Sequence, residues 1–263
     1  MEYRTVTTQH QPQAGMSFFS VMLIIVILAG TVGGWLGLSY FKKAYRVKAV
    51  VAELTEFSAA AKSFHDVYEY FPGDMPNATT FWLNDTDCPG PNCCPGIAWS
   101  AGGCNGNGNN QVKWGNEKDN NESLRAWQHL VLAGQIQGGY DGVGRGTNEA
   151  VIGVNVPASR ASGIGYDFHY GAVGPIKERN YIGVGGYMRG GAPQSPALTP
   201  SEAYNIDKKI DDGYPLGGNF VSSNGIGVSE CTRGFVETSS TYNSTNDSLQ
   251  CISHYNIDPA FER

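Results

Sequence analysis

The chain has 263 residues, of which 41% are hydrophobic and 16% are charged. Its 14 Tyr, 11 Phe and 5 Trp can form a folded core, and a net charge of −6 is too small to keep this chain open. We therefore expect one globular domain with an accessory segment and exclude wholesale disorder. After Ala49 there are 13 Lys and Arg against 23 Asp and Glu. This acidic balance disfavours a nucleic-acid partner, because phosphates are bound through Lys and Arg.

The N-terminal part joins a polar leader to a long apolar run. Residues 1–15 read MEYRTVTTQHQPQAG, and residues 16–41 read MSFFSVMLIIVILAGTVGGWLGLSYF without a formal charge. A bilayer core requires about 20 apolar residues. The run is longer than the apolar region of a secretory signal, and no small-residue cleavage site follows it before the lysines. We therefore predict a transmembrane helix over residues 16–41.

The junction between leader and apolar run resembles that of type IV pilins and type II secretion pseudopilins. In these families a peptidase cleaves after the last glycine of the leader and methylates the new N-terminus. The resemblance implies cleavage between Gly15 and Met16. This sequence departs from the family pattern at two positions, because Met16 stands where Phe is usual and Ser20 stands at the fifth mature position, where Glu is usual.

Ser20 bears on the place of the subunit in a fibre. The family glutamate is thought to neutralise the N-terminal ammonium of a neighbouring subunit inside an apolar core, where an unpaired charge costs several kcal/mol. Ser20 carries no charge and cannot do this. Among pseudopilins the lack of this glutamate is associated with the tip subunit. The resemblance therefore implies a minor or tip subunit.

Residues 42–70 continue the apolar run with helical periodicity. Apolar residues recur every three or four positions, at Val47, Val50, Val51, Leu54, Phe57, Ala61, Phe64 and Tyr68, and Pro72 follows. The predicted fold class is α+β. It consists of a long N-terminal helix, half transmembrane and half amphipathic. This helix packs on a head, residues 71–263, that has a small antiparallel β-sheet and glycine-rich loops. Within the head we predict a helix over 121–137 and strands at 150–156, 181–184 and 234–238.

Three head segments extend the resemblance to most of the chain. They read YFPGDMPNATTFW, AWQHLVLAGQI and NIDKKIDDGYPLGG. Similar strings occur in this order in bacterial prepilin-like proteins. They support the class of protein and say little about a specific role.

Topology signals conflict. Four basic residues follow the apolar run and one precedes it, which alone predicts a cytoplasmic C-terminal part. The even set of six cysteines favours an oxidising compartment instead. Pilin-like chains also commonly carry basic residues just past the apolar stretch. We therefore expect a single-pass protein of the bacterial inner membrane, with its head in the periplasm before assembly into a pilus or pseudopilus.

The cysteines suggest disulfide bonds. The resemblance implies a bond between Cys231 and Cys251, which close a loop near the C-terminus. For the other four, two pairings remain open: Cys88–Cys93 with Cys94–Cys104, or Cys88–Cys94 with Cys93–Cys104. A zinc site fits poorly, because Cys93 and Cys94 are adjacent and do not form separated C-x₂₋₄-C pairs.

One acidic cluster is a metal candidate. Asp207, Asp211 and Asp212 lie beside a glycine turn, and calcium prefers six to eight oxygen ligands. No EF-hand spacing is present, so we expect a helix end followed by a turn, with solvated acids neutralised by Lys208 and Lys209. Calcium is the alternative, and no other cofactor is expected.

No enzyme motif is present in the sequence. None of the histidines lies in a known metal or haem motif, and no Ser lies in G-x-S-x-G. His65 and His129 are expected to be exposed on amphipathic helices. We expect a structural subunit whose partners are other pilin or pseudopilin subunits, the prepilin peptidase, the inner-membrane assembly platform and the membrane. The alternative is a periplasmic binding module or adhesin with an uncleaved membrane anchor.

Overall fold

The computed structural model describes residues 18–82, 105–115, 121–146, 148–173, 176–234 and 239–258. The chain divides into two compact units, Met1–Ala44 and Tyr45–Arg263. Its described helices are α1 (Phe18–Tyr68), α2 (Glu122–Leu132) and α3 (Pro200–Ile210), with a short 3-10 helix at Ala78–Thr80. Its described strands are β1 (Gly165–Val173), β2 (Ile176–Gly185), β3 (Phe220–Asn224), β4 (Thr232–Arg233), β5 (Thr241–Tyr242) and β6 (Cys251–Asn256).

The predicted fold class, a helix with a transmembrane half packed on a sheet head, is wrong. In the part of the chain that the structure describes, no helix is long and apolar enough to cross a membrane. The predicted location in the inner membrane with a periplasmic head is wrong on the same finding. The residues of α1 up to Ala44 also belong to a different compact unit from the sheet. The physical reason for the error is that an uncharged run indicates only a need for an apolar environment, which is a weaker statement than a membrane span.

From Tyr45 onward, α1 contributes one apolar face to the core of the second unit. Val50, Leu54, Ala61 and Phe64 are fully buried, at spacings of three to seven residues. The helix ends at Tyr68, two residues before the predicted end. Glu69 adopts a left-handed conformation with φ of 64° and donates its N–H to His65 O at 2.8 Å. This geometry closes the helix before Pro72 is reached.

Both later helices begin with side-chain caps. The Asn121 side chain accepts a hydrogen bond from Leu124 N at the start of α2, as the predicted helix requires, although α2 ends at Leu132 and not at 137. At the start of α3, the Thr199 side chain accepts from Glu202 N and the Glu202 carboxylate accepts from Thr199 N. Pro200 occupies the first turn, where a missing N–H costs nothing.

The sheet of the second unit has four antiparallel strands in the order β1-β2-β6-β3, and β4 and β5 form a separate two-stranded ribbon. Of the predicted strands, 181–184 lies within β2. Residues 150–156 form no strand and make only a bridge between Ile152 and Val156. For the prediction at 234–238, only Gly234 lies among the described residues.

One face of the sheet packs against the helices through aromatic rings. The Phe57 ring of α1 lies 5.0 Å from both Trp127 of α2 and Tyr166 of β1, measured between centroids. Trp127 also contacts Phe168 at 4.5 Å. Because these four side chains are buried and come from three elements, they form the centre of the core.

Buried charged groups connect distant parts of the second unit. The Glu53 carboxylate of α1 accepts hydrogen bonds from the hydroxyls of Ser159 and Tyr166, both at 2.5 Å, and from the backbone N–H and Nε of Arg160. Arg46 donates to Glu202 at 2.8 Å and so connects α1 to α3. A buried carboxylate with four donors is satisfied, so Glu53 stabilises this junction and its removal is costly.

Candidate functional site

The residues that the resemblance singles out are only partly described. Gly15 and Met16 lie outside the described residues. Ser20 lies in the first turn of α1 and is exposed. It is surrounded by large apolar side chains.

The α1 surface around Ser20 is apolar on every side. The large hydrophobic residues of this stretch are each 39% to 83% exposed: Phe18, Phe19, Val21, Met22, Leu23, Ile24, Ile25, Val26 and Ile27. Full burial of such a side chain gains about 1.5–3 kcal/mol. Covering this surface would therefore gain on the order of 10 kcal/mol. An apolar patch of this kind marks an interaction surface.

The Cys231–Cys251 disulfide is present, as predicted. Its two Cα atoms are 4.9 Å apart and the cysteines are separated by 20 residues. The bond connects the start of β6 to the residue before β4. Closing a loop of this length is worth about 3 kcal/mol in the chain-entropy account. The other four cysteines, Cys88, Cys93, Cys94 and Cys104, lie outside the described residues.

The predicted acidic cluster does come together. Asp207, Asp211 and Asp212 each offer a carboxylate oxygen, and these atoms all lie within 4.8 Å of one another. The expected neutralisation by lysines is wrong. In the described part of the chain no ion pair links the cluster to Lys208 or Lys209, and the Lys208 ammonium lies 5.7 Å from the Tyr204 ring centroid.

Hydrogen bonds within the protein use much of the capacity of the cluster. Asp207 accepts from Gly213 N at 2.8 Å and from the Tyr242 hydroxyl at 2.6 Å. Asp211 accepts from the N–H groups of Asn219 and Phe220. Asp207 was expected to be solvated, but it is fully buried. The cluster therefore holds the loop after α3 against β3 and β5.

Burial controls the charge of Asp207. Desolvation raises its pKa to about 7, against the hydrogen bonds from Tyr242 and Gly213, which favour the charged form. The same burial, with Asp207 nearby, raises the pKa of Tyr242 well above 10.0. Asp207 is thus half protonated near neutral pH. A divalent cation would favour the charged form, so the cluster can bind calcium only in competition with protons.

A histidine cluster on the other face of the sheet was not predicted. Asp167 and His169 of β1 lie 3.1 Å apart, from Oδ2 to Nδ1. The His169 and His254 ring centroids are 4.8 Å apart, and His169 stacks on Tyr181 at 5.5 Å. The pairing of β1 and β6 with β2 brings these residues together, because Asp167 and His254 both lie opposite Gly183 in the strand register.

His254 is uncharged in this environment. Burial lowers its pKa well below 6.5, with a further contribution from His169, and its Nδ1 is buried with no hydrogen-bond partner among the described residues. An Asp–His pair is also a common arrangement in catalysis, and here it consists of Asp167 and His169, whose side chains are 2% and 15% exposed. A substrate could therefore reach this pair only at the His169 ring.

His129 was predicted to be exposed, and this prediction is wrong. His129 is fully buried, its ring stacks on Phe64 at 5.8 Å, and its Nδ1 accepts a hydrogen bond from Gly73 N at 2.9 Å. Gly73 has φ of 88°, and a side chain there would overlap the backbone of Glu122. His129 therefore fixes the turn after α1 against α2.

A cleft of about 420 Å³ lies beside the first half of β2. Its lining includes three consecutive amide residues, one tyrosine and two acids: Asn109, Asn110, Gln111, Tyr170, Glu178 and Asp258. The Tyr170 hydroxyl donates to Glu178 at 3.2 Å.

No protein-family model, curated protein or solved structure matches this chain. The resemblance to pilins therefore depends on the residues of this sequence alone.

Proposed function

We propose that this protein is a structural subunit, in a minor or tip position, of a bacterial type IV pilus or type II secretion pseudopilus. It acts by assembly and not by catalysis. The exposed apolar surface of α1, residues 18–27, is the observation that supports the proposal most strongly. Neighbouring helices of the same kind would cover this surface on all sides, as a fibre core does.

Two features of the sequence support the proposed processing. The leader ends at Gly15 directly before the apolar run, and no charge follows until Lys42. Cleavage after Gly15 leaves a mature chain whose first residues are all apolar or uncharged. The charge that remains is the new N-terminal ammonium, which methylation by the prepilin peptidase does not remove.

Ser20 supports a minor or tip position over a repeated one. A subunit buried in the fibre places its N-terminal ammonium in an apolar core, where it needs a carboxylate from a neighbour. Ser20 cannot provide that carboxylate to the next subunit. A subunit with no neighbour above it does not have to provide such a carboxylate.

Mass spectrometry of the mature N-terminus tests the proposal. The chain is expressed with a prepilin peptidase, and we expect a protein that starts at methylated Met16. Replacing the glycine, Gly15→Leu, should leave the leader intact, whereas Gln13→Ala should be processed normally. An intact leader on the unmodified chain in the presence of active peptidase would contradict the proposal.

A further inference from the structure

The cleft beside β2 has polar groups without partners. The side-chain amides of Asn110 and Gln111 line it and make no hydrogen bond to any described residue. Asn109 uses its side-chain oxygen to accept from Gln111 N at 2.9 Å, which leaves its NH₂ group for other acceptors. Each primary amide offers two donors and an acceptor. Three such groups in sequence give the cleft a dense set of neutral hydrogen-bonding positions.

A buried carboxylate fixes the backbone of the loop that carries these amides. The carboxylate of Asp74, which is fully buried, accepts from Asn109 N at 3.0 Å and from Asn110 N at 2.7 Å. Asn110 is in a left-handed conformation, with φ of 63°. Because the loop is fixed before any ligand arrives, binding does not have to order it.

Asn180 connects the three segments that line the cleft: the loop of amide residues, β2 and the chain after β6. Its side chain accepts from Val112 N at 2.9 Å and donates to Asn110 O at 2.9 Å and to Asp258 at 3.0 Å. Its own N–H donates to Asp258 at 3.2 Å. Asn180 is 3% exposed. The amide loop, the start of β2 and the residue after β6 therefore form one rigid frame.

The remaining lining selects against several ligand classes. Glu178 and Asp258 are acids, which repel anionic ligands. Each oxygen of Asp258 accepts a hydrogen bond from Asn180, which fixes the position of this carboxylate. The Tyr170 ring provides an apolar surface, and the Lys113 ammonium lies 5.4 Å from its centroid. Carboxylates, amides and the two aromatic rings of the lining, Phe71 and Tyr170, together suit a neutral ligand with many hydroxyl groups.

We propose that this cleft binds one unit of a neutral carbohydrate. Its volume of about 420 Å³ falls within the usual size of small-molecule sites. The amides donate to and accept from the sugar hydroxyls, Glu178 accepts from them, and the C–H face of the sugar packs on Tyr170. The inference goes beyond assembly into a fibre and does not depend on it.

NMR titration of the full chain tests this inference. The chain is labelled with ¹⁵N and kept in a zwitterionic detergent, because sugar-based detergents would compete. The probes are glucose, galactose, mannose and N-acetylglucosamine. For at least one of them we expect saturable shifts of the side-chain amide signals of Asn109, Asn110 and Gln111.

Variants identify the site of binding. Gln111→Ala and Tyr170→Ala should each weaken binding about tenfold, the effect of about 1.4 kcal/mol. Tyr214→Ala is the matched control, because Tyr214 is 50% exposed and is not part of the cleft lining. This variant should bind the sugar as the unmodified chain does. An unchanged backbone spectrum shows that each variant is folded.

Three results would overturn the inference. The first is that none of the four sugars shifts the cleft amides. The second is binding that survives both cleft variants, which would place the sugar elsewhere. The third is a shift of the same amides by CaCl₂ in the absence of any response to sugar, which would make the cleft a cation site.

Discussion

Replacing Asp207 by Asn changes the pH dependence of stability in a way that can be calculated. Asp207 is fully buried, and its pKa is raised from 3.8 to about 7. Asn has nearly the same shape. Its amide oxygen can accept from Gly213 N, and its NH₂ group can donate to the Tyr242 oxygen, so the contacts of a protonated Asp207 are retained.

The direction of the effect follows from proton linkage. Between pH 3.8 and about 7 the folded protein keeps a proton on Asp207 that the unfolded chain has released. The contribution of Asp207 to stability therefore falls as pH rises through this window and stays constant above it. Relative to low pH, where Asp207 is protonated in both states, the free energy of unfolding is lower by about 2 kcal/mol at pH 5 and by about 4 kcal/mol at pH 8. Asp207→Asn removes this loss, so its advantage over the unmodified chain should grow by about 2–3 kcal/mol between these pH values.

Urea unfolding in EDTA, followed by tryptophan fluorescence, measures this difference at both pH values. Asp66→Asn is the control, because Asp66 is exposed on α1 and pairs with Lys62 at 3.3 Å, outside the acidic cluster. This variant should not reproduce the gain of Asp207→Asn. If the advantage of Asp207→Asn does not increase with pH, Asp207 does not keep its proton in the folded protein. If calcium at pH 8 stabilises the unmodified chain but not Asp207→Asn, the cluster holds a cation.

Three further substitutions test other parts of the account by urea unfolding. Glu53→Gln should destabilise by about 3 kcal/mol, because an NH₂ group would face two of the four donors around Glu53, whereas Glu56→Gln, at an exposed position, should cost less than about 0.5 kcal/mol. Gly183→Ala should destabilise by about 2 kcal/mol, because the added methyl overlaps the Asp167 carboxylate, and Gly139→Ala, in open space, should not. His254→Gln should reduce the loss of stability as the pH falls below 6.5, because burial lowers the pKa of folded His254, so that the unfolded chain takes up a proton that the folded chain does not.

Each of these three has its own contradicting result. Equal effects of the Glu53 and Glu56 variants would mean that the buried carboxylate is not held by its four donors. A neutral Gly183→Ala would mean that β1 and β2 are less close than described. An unchanged acid sensitivity of His254→Gln would place the protonation event on another residue. Just below pH 6.5 the contribution of Asp207 to stability falls as the pH rises, whereas the contribution of His254 increases. Each variant therefore reveals the pH dependence that the other residue causes.

Features that depend on neighbouring residues were open to prediction from the sequence. The cap at Asn121 and the strand at 181–184 are local, and both are found in the structure. The Cys231–Cys251 bond spans only 20 residues and was implied by the family resemblance. The disulfide and the acidic cluster are therefore the parts of the candidate sites that sequence reasoning located.

Features built from distant segments were not open to prediction. The cleft joins residues 109–111 to 178–180 and 258, and the Asn180 contacts that hold it span up to 78 residues. The histidine cluster depends on strand register, because Asp167 and His254 meet only through their shared neighbour Gly183. The burial of His129 depends on the turn at Gly73, whose position no helical periodicity specifies. The run of three amide residues, 109–111, was the only weak sequence signal for the cleft.

If residues 18–27 of α1 are covered by other subunits in a fibre, a charge placed there should keep the chain out of fibres. Two matched variants test this by the amount of the chain in the sheared-fibre fraction of its host. Ile25 and Ile226 are 55% and 57% exposed, one on the apolar helix and one in the second unit. We expect Ile25→Asp to abolish incorporation into fibres and Ile226→Asp to leave it unchanged. Equal incorporation of both variants, or absence of the unmodified chain from fibres, would show that this surface is not a fibre contact.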